Sequence, residues 1–200
     1  MLNYSNIFDK EAIDYPSYRV LVDELLAQGE TTGPDNSESM LHYTKMNVQR
    51  MNRVDKTAIL NEELLATIGE IEGKYRLLVI TEGWCGDAAQ IVPVINKMAL
   101  VAPDKFELKF VLRDKNLPLI DAHLTNGGRA IPVLLILNEQ GNLVLPKWGP
   151  RPVVLQEQIL QWKQEGIEMP ELAEKLHGWY AKDKTQATQQ EFNELLKQLK

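Results

Sequence analysis

From Lys74 onward the chain alternates apolar runs too short for helices with stretches of helical periodicity, and this alternation limits the fold more than any other feature of its 200 residues. RLLVIT, FELKFVLRD, PVLLILN and GNLVLPKW are strand candidates, whereas AAQIVPVINKMALVA, LPLIDAHL and PVVLQEQILQWKQ repeat apolar residues at helical spacing. The order is β-α-β-α-β-β-α. Strands that are apolar throughout imply a sheet covered on both faces, while the short NEQGN break before the last strand implies a hairpin. The expectation is an α/β chain with a central mixed β-sheet flanked by helices.

The flanks read as helical extensions. In YRVLVDELLAQG, Leu21, Val22, Leu25 and Leu26 share a stripe that Gly29 ends, and Ser37 is a candidate N-cap for a helix through ESMLHYTKMNVQRMNRVDK. There Met40, Leu41, Tyr43, Val48 and Met51 are expected to face a core. Lys45, Arg50, Arg53 and Lys56 form a basic face of the usual solvated kind. TAILNEELLATIG carries Ile59, Leu60, Leu64, Leu65 and Ile68 at helical spacing before Gly69. Pro152 suits the first turn of a helix that Gly166 closes, and residues 170–200 read as two more helices, with Thr188 and Glu191 as a capping box. The predicted organisation is a helical extension over 1–56, a core over 57–165 and a second helical extension over 166–200. Apolar stripes this narrow need a partner surface, so the extensions are expected to dock on the core.

Composition removes several function classes. A formal charge of −6 argues against a nucleic-acid partner. No apolar run approaches the roughly 18 to 20 residues of a membrane helix, and the start MLNYSNIFDKEAIDYPSY lacks the basic and apolar blocks of a signal peptide, so a cytoplasmic location is expected. His42, His123 and His177 stand apart from other ligand-type residues, so no metal site is expected. The single cysteine, Cys85, cannot form an internal disulfide, and any thiol chemistry must recruit a second sulfur.

In LLVITEGWCGDAAQIVPVI the order strand, loop, cysteine, helix puts Cys85 near a helix N-terminus, where dipole and free amides favour thiolate. Asp87 opposes that shift, so the net direction stays open. A lone cysteine is otherwise a small buried hydrophobe.

Trp84-Cys85-Gly86 after an apolar strand, Pro93 within the following helix and Arg129-Ala-Ile-Pro132-Val-Leu-Leu together resemble the thioredoxin superfamily over residues 57–165. More narrowly, the chain is similar to a bacterial thioredoxin-like branch with a Trp-Cys-Gly-Asp motif and helical extensions at both ends. The resemblance implies a thioredoxin-like fold, a cis Ile131-Pro132 bond facing the cysteine, and Cys85 as nucleophile. It implies a docking groove formed by Trp84, Gly86, Asp87, Ala88, Ile131 and Pro132, and Arg129 beside it either meets a substrate or forms a surface ion pair.

Two departures limit what that motif can do. Ala88 stands where the family has its resolving cysteine, and Val79 replaces its buried aspartate, with Glu82 nearby but not equivalent. After Cys85 attacks a disulfide, nothing internal releases the mixed disulfide. The leading expectation is therefore a monothiol thiol-disulfide oxidoreductase acting on a protein or small-molecule disulfide. It has no built-in cofactor, and glutathione or another low-molecular-weight thiol resolves the adduct. The alternative is a non-catalytic thioredoxin-fold module that binds a peptide or protein. Asn126-Gly127-Gly128-Arg129 reads as a turn, and Trp148-Gly149-Pro150-Arg151-Pro152 as a stiff strand-to-helix corner.

Overall fold

Four consecutive side chains, Leu77 to Ile80, are wholly buried, which is what a strand covered on both faces requires. The computed structural model, which describes residues 2–199, makes them the middle of β1 (Tyr75–Thr81). β1 pairs in parallel with β2 (Phe106–Leu112), from Tyr75 opposite Phe106 to Thr81 opposite Leu112. On its other side β1 pairs antiparallel with β3 (Val133–Asn138), from Tyr75 opposite Asn138 to Ile80 opposite Val133. The sheet is mixed, in the order β2-β1-β3.

In chain order the helices are α1 (Tyr4–Asn6), with a π-helical turn after it, α2 (Tyr15–Ala27), α3 (Glu38–Thr57), α4 (Glu62–Glu70), α5 (Ala88–Val101), α6 (Leu117–Asp121), α7 (Val153–Gln164), α8 (Met169–Asp183) and α9 (Gln186–Leu196). α5 is the crossover between the parallel strands. Nearly all its apolar residues are buried, and Pro93 within it removes one N–H from the helical ladder.

Both extensions pack on this core. Ile13 exchanges backbone hydrogen bonds with Phe110 along the free edge of β2, and Tyr18, wholly buried, stacks on the Phe110 ring at 5.4 Å. α3 lies against α5, and α4 packs on α9. There Gln189, buried in α9, accepts from the Asn61 N–H at 2.7 Å and donates to the Ile59 carbonyl at 3.0 Å. These bonds satisfy backbone groups in the turn between α3 and α4 that would otherwise be unpaired.

Several local expectations are corrected. GNLVLPKW does not form a ladder strand. It returns beside β3 through isolated bridges, Leu137 with Leu143 and Leu134 with Trp148, after the turn that the NEQGN break implied. Ser37 stands at the N-cap of α3 but its hydroxyl makes no capping bond, because it meets Ser39 instead. The buried face of α3 is Thr44, Asn47, Met51 and Val54, rotated from the expected stripe, and Tyr43 is exposed. The segment expected to begin a helix at Thr57 is the end of α3 plus a turn. α4 starts after Asn61, whose side chain caps it by accepting from the Leu64 N–H, and Ile59 is left 81% exposed. Thr188 lies buried inside α9 and Glu191 reaches away to Trp148, so no capping box forms.

Candidate functional site

β1 ends at Thr81, and Glu82 to Asp87 make the loop that feeds α5. The loop is pinned at its base. The Glu82 carboxylate, itself wholly buried, accepts from the Asp114 N–H at 2.8 Å and from the Thr32 hydroxyl, which in turn accepts from the Gly83 N–H at 3.0 Å. The Asn47 amide donates to the Gly83 carbonyl at 3.1 Å. Burial pushes Glu82 up to about 7 against the opposing pull of the Asp114 N–H and the Thr32 hydroxyl. Trp84 next along the loop is half-buried, with the Arg113 guanidinium 4.6 Å from its ring. Gly33 lies so close that a Cβ there would stand 2.6 Å from the indole nitrogen.

Cys85 is 8% exposed. Its thiol donates to the carbonyl oxygen of Ile131 at 3.3 Å, and its sulfur accepts from the Ala88 N–H at 3.5 Å. The Ile131-Pro132 bond is cis. The helix start therefore meets the cysteine with one long hydrogen bond, and burial outweighs it: desolvation first and the Asp87 charge second push the thiol up to about 12. The balance left open by sequence thus falls on the side of the neutral thiol.

Asp87 turns away from the sulfur into a closed set of partners. Arg151 approaches it through Nε at 3.0 Å and Nη2 at 2.5 Å, and the Tyr180 hydroxyl donates to it at 2.6 Å. Burial and the same carboxylate hold the Tyr180 phenol protonated. The corner that supplies Arg151 is pressed onto the cis-proline loop. Gly149, at φ 123°, lies where a Cβ would stand 2.2 Å from the Pro132 carbonyl oxygen, so only glycine fits. Beyond it, Trp148 donates from Nε1 to Glu191 of α9 at 2.8 Å.

His177 of α8 covers Gly86. A Cβ on that glycine would lie 2.8 Å from the imidazole Cε1. Burial, with Arg50 next, pushes this histidine down to about 4, and its Nδ1 is buried without a hydrogen-bond partner. Between α3, α7 and α8 a cleft of about 380 Å³ opens beside the loop, with Trp84, Gly86 and Asp87 in one wall.

Of the residues singled out from sequence, Trp84, Cys85, Gly86, Asp87 and Ala88 are contiguous at the start of α5, and Ile131 and Pro132 meet them across the sheet end. Arg129 is exposed and holds Asp121 through bonds of 2.6 and 2.9 Å. Sequence reasoning missed Arg151, Tyr180, His177 and Asn47 as parts of this site. The Trp148 to Pro152 corner was the available signal for Arg151, since so stiff a segment fixes the direction of whatever it carries. For the residues of α3 and α8 no local signal existed.

A protein of unknown function from Pseudomonas aeruginosa has a crystal structure similar to this one, with a TM-score of 0.64 and 19% identity over 98% of this chain and 98% of that chain. The crystal structure of an HIV epitope-scaffold is similar too, with a TM-score of 0.59 and 19% identity over 99% and 98%. Both likenesses are to the fold, and both run through the extensions as well as the core. No curated protein matches the sequence. The family model described as thioredoxin matches residues 33–166, well over half of the chain, and this protein belongs to the thioredoxin family.

Proposed function

We propose that this protein is a thioredoxin-fold binding module in which Trp84, Gly86 and Asp87 wall a ligand cleft and Cys85 does not serve as a standing nucleophile. The observation that carries the reading is the burial of Cys85, 8% exposed with its thiol donating to the Ile131 carbonyl, and that burial pushes its pKa up. A nucleophilic cysteine needs thiolate character and access, and a thiol this buried, with its pKa raised, is short of both. Asp87 is committed to Arg151 and Tyr180, so it is no base for the thiol. The cleft has the mixed apolar and polar lining expected of a ligand site.

A second reading rests on one observation. The Cys85 sulfur lies within reach of the carbonyl that precedes Pro132 and of the Ala88 N–H, the geometry that a monothiol exchange centre would use if the sulfur became exposed. Glutathione or a similar thiol would then resolve the adduct.

Incubation with oxidised glutathione separates the two. A binding module gains no glutathione in the native state and one when unfolded in urea. A native chain that takes up a single glutathione and loses it again to reduced glutathione would establish the monothiol reading.

A further inference from the structure

The α8 side of the cleft is apolar: Leu172 is buried, Leu176 lies one turn on, and Met169 is 68% exposed. Three cations line it, Arg50, Arg151 and Lys163, against one carboxylate, Asp87. That carboxylate is taken by Arg151, so Arg50 and Lys163 are left without an acidic partner among the described residues. Arg50 is bonded through Nη1 to the Asn47 side-chain oxygen at 2.6 Å, a neutral acceptor. Its charge is disfavoured there, first by burial and then by Arg53. On a chain of net charge −6, an apolar slot with unmatched cations is complementary to an anion that carries an apolar body.

We infer that the cleft between α3, α7 and α8 binds a small amphipathic carboxylate. Its apolar part lies on Met169, Leu172 and Leu176, and its carboxylate meets Arg50, with Lys163 at the mouth. The inference rests on the binding-module reading and adds the ligand's chemistry to it. A carboxylate suits a guanidinium whose Nε and Nη2 remain free, because the planar fork pairs with two oxygens at once. His177, which also lines the cleft, has a buried Nδ1 with no hydrogen-bond partner.

Isothermal titration with three ten-carbon probes, decanoate, decanol and decyltrimethylammonium, on the full chain at neutral pH and low salt, tests this. Decanoate should bind at one site per chain, at least tenfold tighter than decyltrimethylammonium, and weaken as salt is raised. Arg50→Gln should weaken decanoate about tenfold and leave decanol unchanged, while Arg50→Lys recovers part of the loss. Lys163→Gln, on an exposed side chain, should weaken decanoate by a smaller factor. Equal binding of decanoate and decanol, with the Arg50 and Lys163 variants all silent, would overturn the carboxylate assignment while keeping a binding cleft. Absence of binding by all three probes would overturn it as well, and the glutathione experiment would still decide the binding-module reading separately.

Discussion

The Tyr180 hydroxyl donates to the Asp87 carboxylate at 2.6 Å, so the last third of the chain is bonded directly to the residue that follows Trp-Cys-Gly. Arg151 completes the set, and all three side chains are at least partly enclosed. Tyr180→Phe leaves the buried carboxylate one donor short and is expected to cost roughly 1.5–3 kcal/mol, the range for hydrogen bonds to charged groups. Urea denaturation measures it, and a change below about 0.5 kcal/mol would mean that the bond is not formed in solution.

Asp87 also raises the Cys85 pKa, second only to burial. Asp87→Asn removes that charge while Arg151 remains beside the sulfur, so the apparent pKa of Cys85 should fall relative to wild type. The pH dependence of its alkylation reads the shift. An unchanged or higher value would show that the Asp87 charge is not felt at the sulfur.

Glu82 makes folding sensitive to pH. An unfolded glutamate titrates near 4.3, whereas buried Glu82 titrates at about 7. The folded state holds the proton more tightly, so this group's contribution is complete below about pH 4.3 and is lost as pH rises through 7. The difference corresponds to about 4 kcal/mol between those limits. Wild type should therefore lose stability by that amount relative to Glu82→Gln as pH rises from 4 to 8, measured by denaturant midpoints. Parallel profiles for the two chains would contradict a raised Glu82.

Two glycines separate a hard contact from a soft one. Gly149→Ala places a Cβ 2.2 Å from the Pro132 carbonyl oxygen on backbone at φ 123°, with no side chain to give way, and should cost roughly 3 kcal/mol or more. Gly86→Ala meets only the imidazole of His177 at 2.8 Å. It should cost about 1 kcal/mol, and combining it with His177→Ala should cancel most of that, a coupling that a double-mutant cycle detects. Additive single effects would show that His177 does not rest on Gly86.

What was legible in the sequence follows the range of the interactions. β1, β2, β3 and α5 are visible because their burial is written as runs and stripes within six to fourteen residues. The position of Cys85 before α5 is equally local. Asp87 with Arg151 and Asp87 with Tyr180 join residues 64 and 93 positions apart, and no local pattern encodes such pairs. The local signals that misled were outbid by tertiary partners: Glu191, a plausible capping-box residue, gives its oxygens to Trp148 Nε1 and the Val153 N–H. Arg50, read as part of a solvated face, is turned onto the cleft by Asn47, whose burial the charge pattern of α3 conceals. At Cys85 the helix start favours thiolate in sign but is outweighed in size, because burial acts on the whole charge and the Ala88 N–H only on part of it.

The central claim, that Cys85 is a buried neutral thiol in a binding module, is tested most directly by the rate of its alkylation with iodoacetamide as a function of pH, native against urea-unfolded chain. The account predicts that the native chain reacts at least about a hundredfold more slowly at neutral pH, and shows no rise near the roughly 8.5 of a free thiol, while the unfolded chain does. A native Cys85 that reacts as fast as the unfolded one, with an apparent pKa at or below about 8.5, would contradict it.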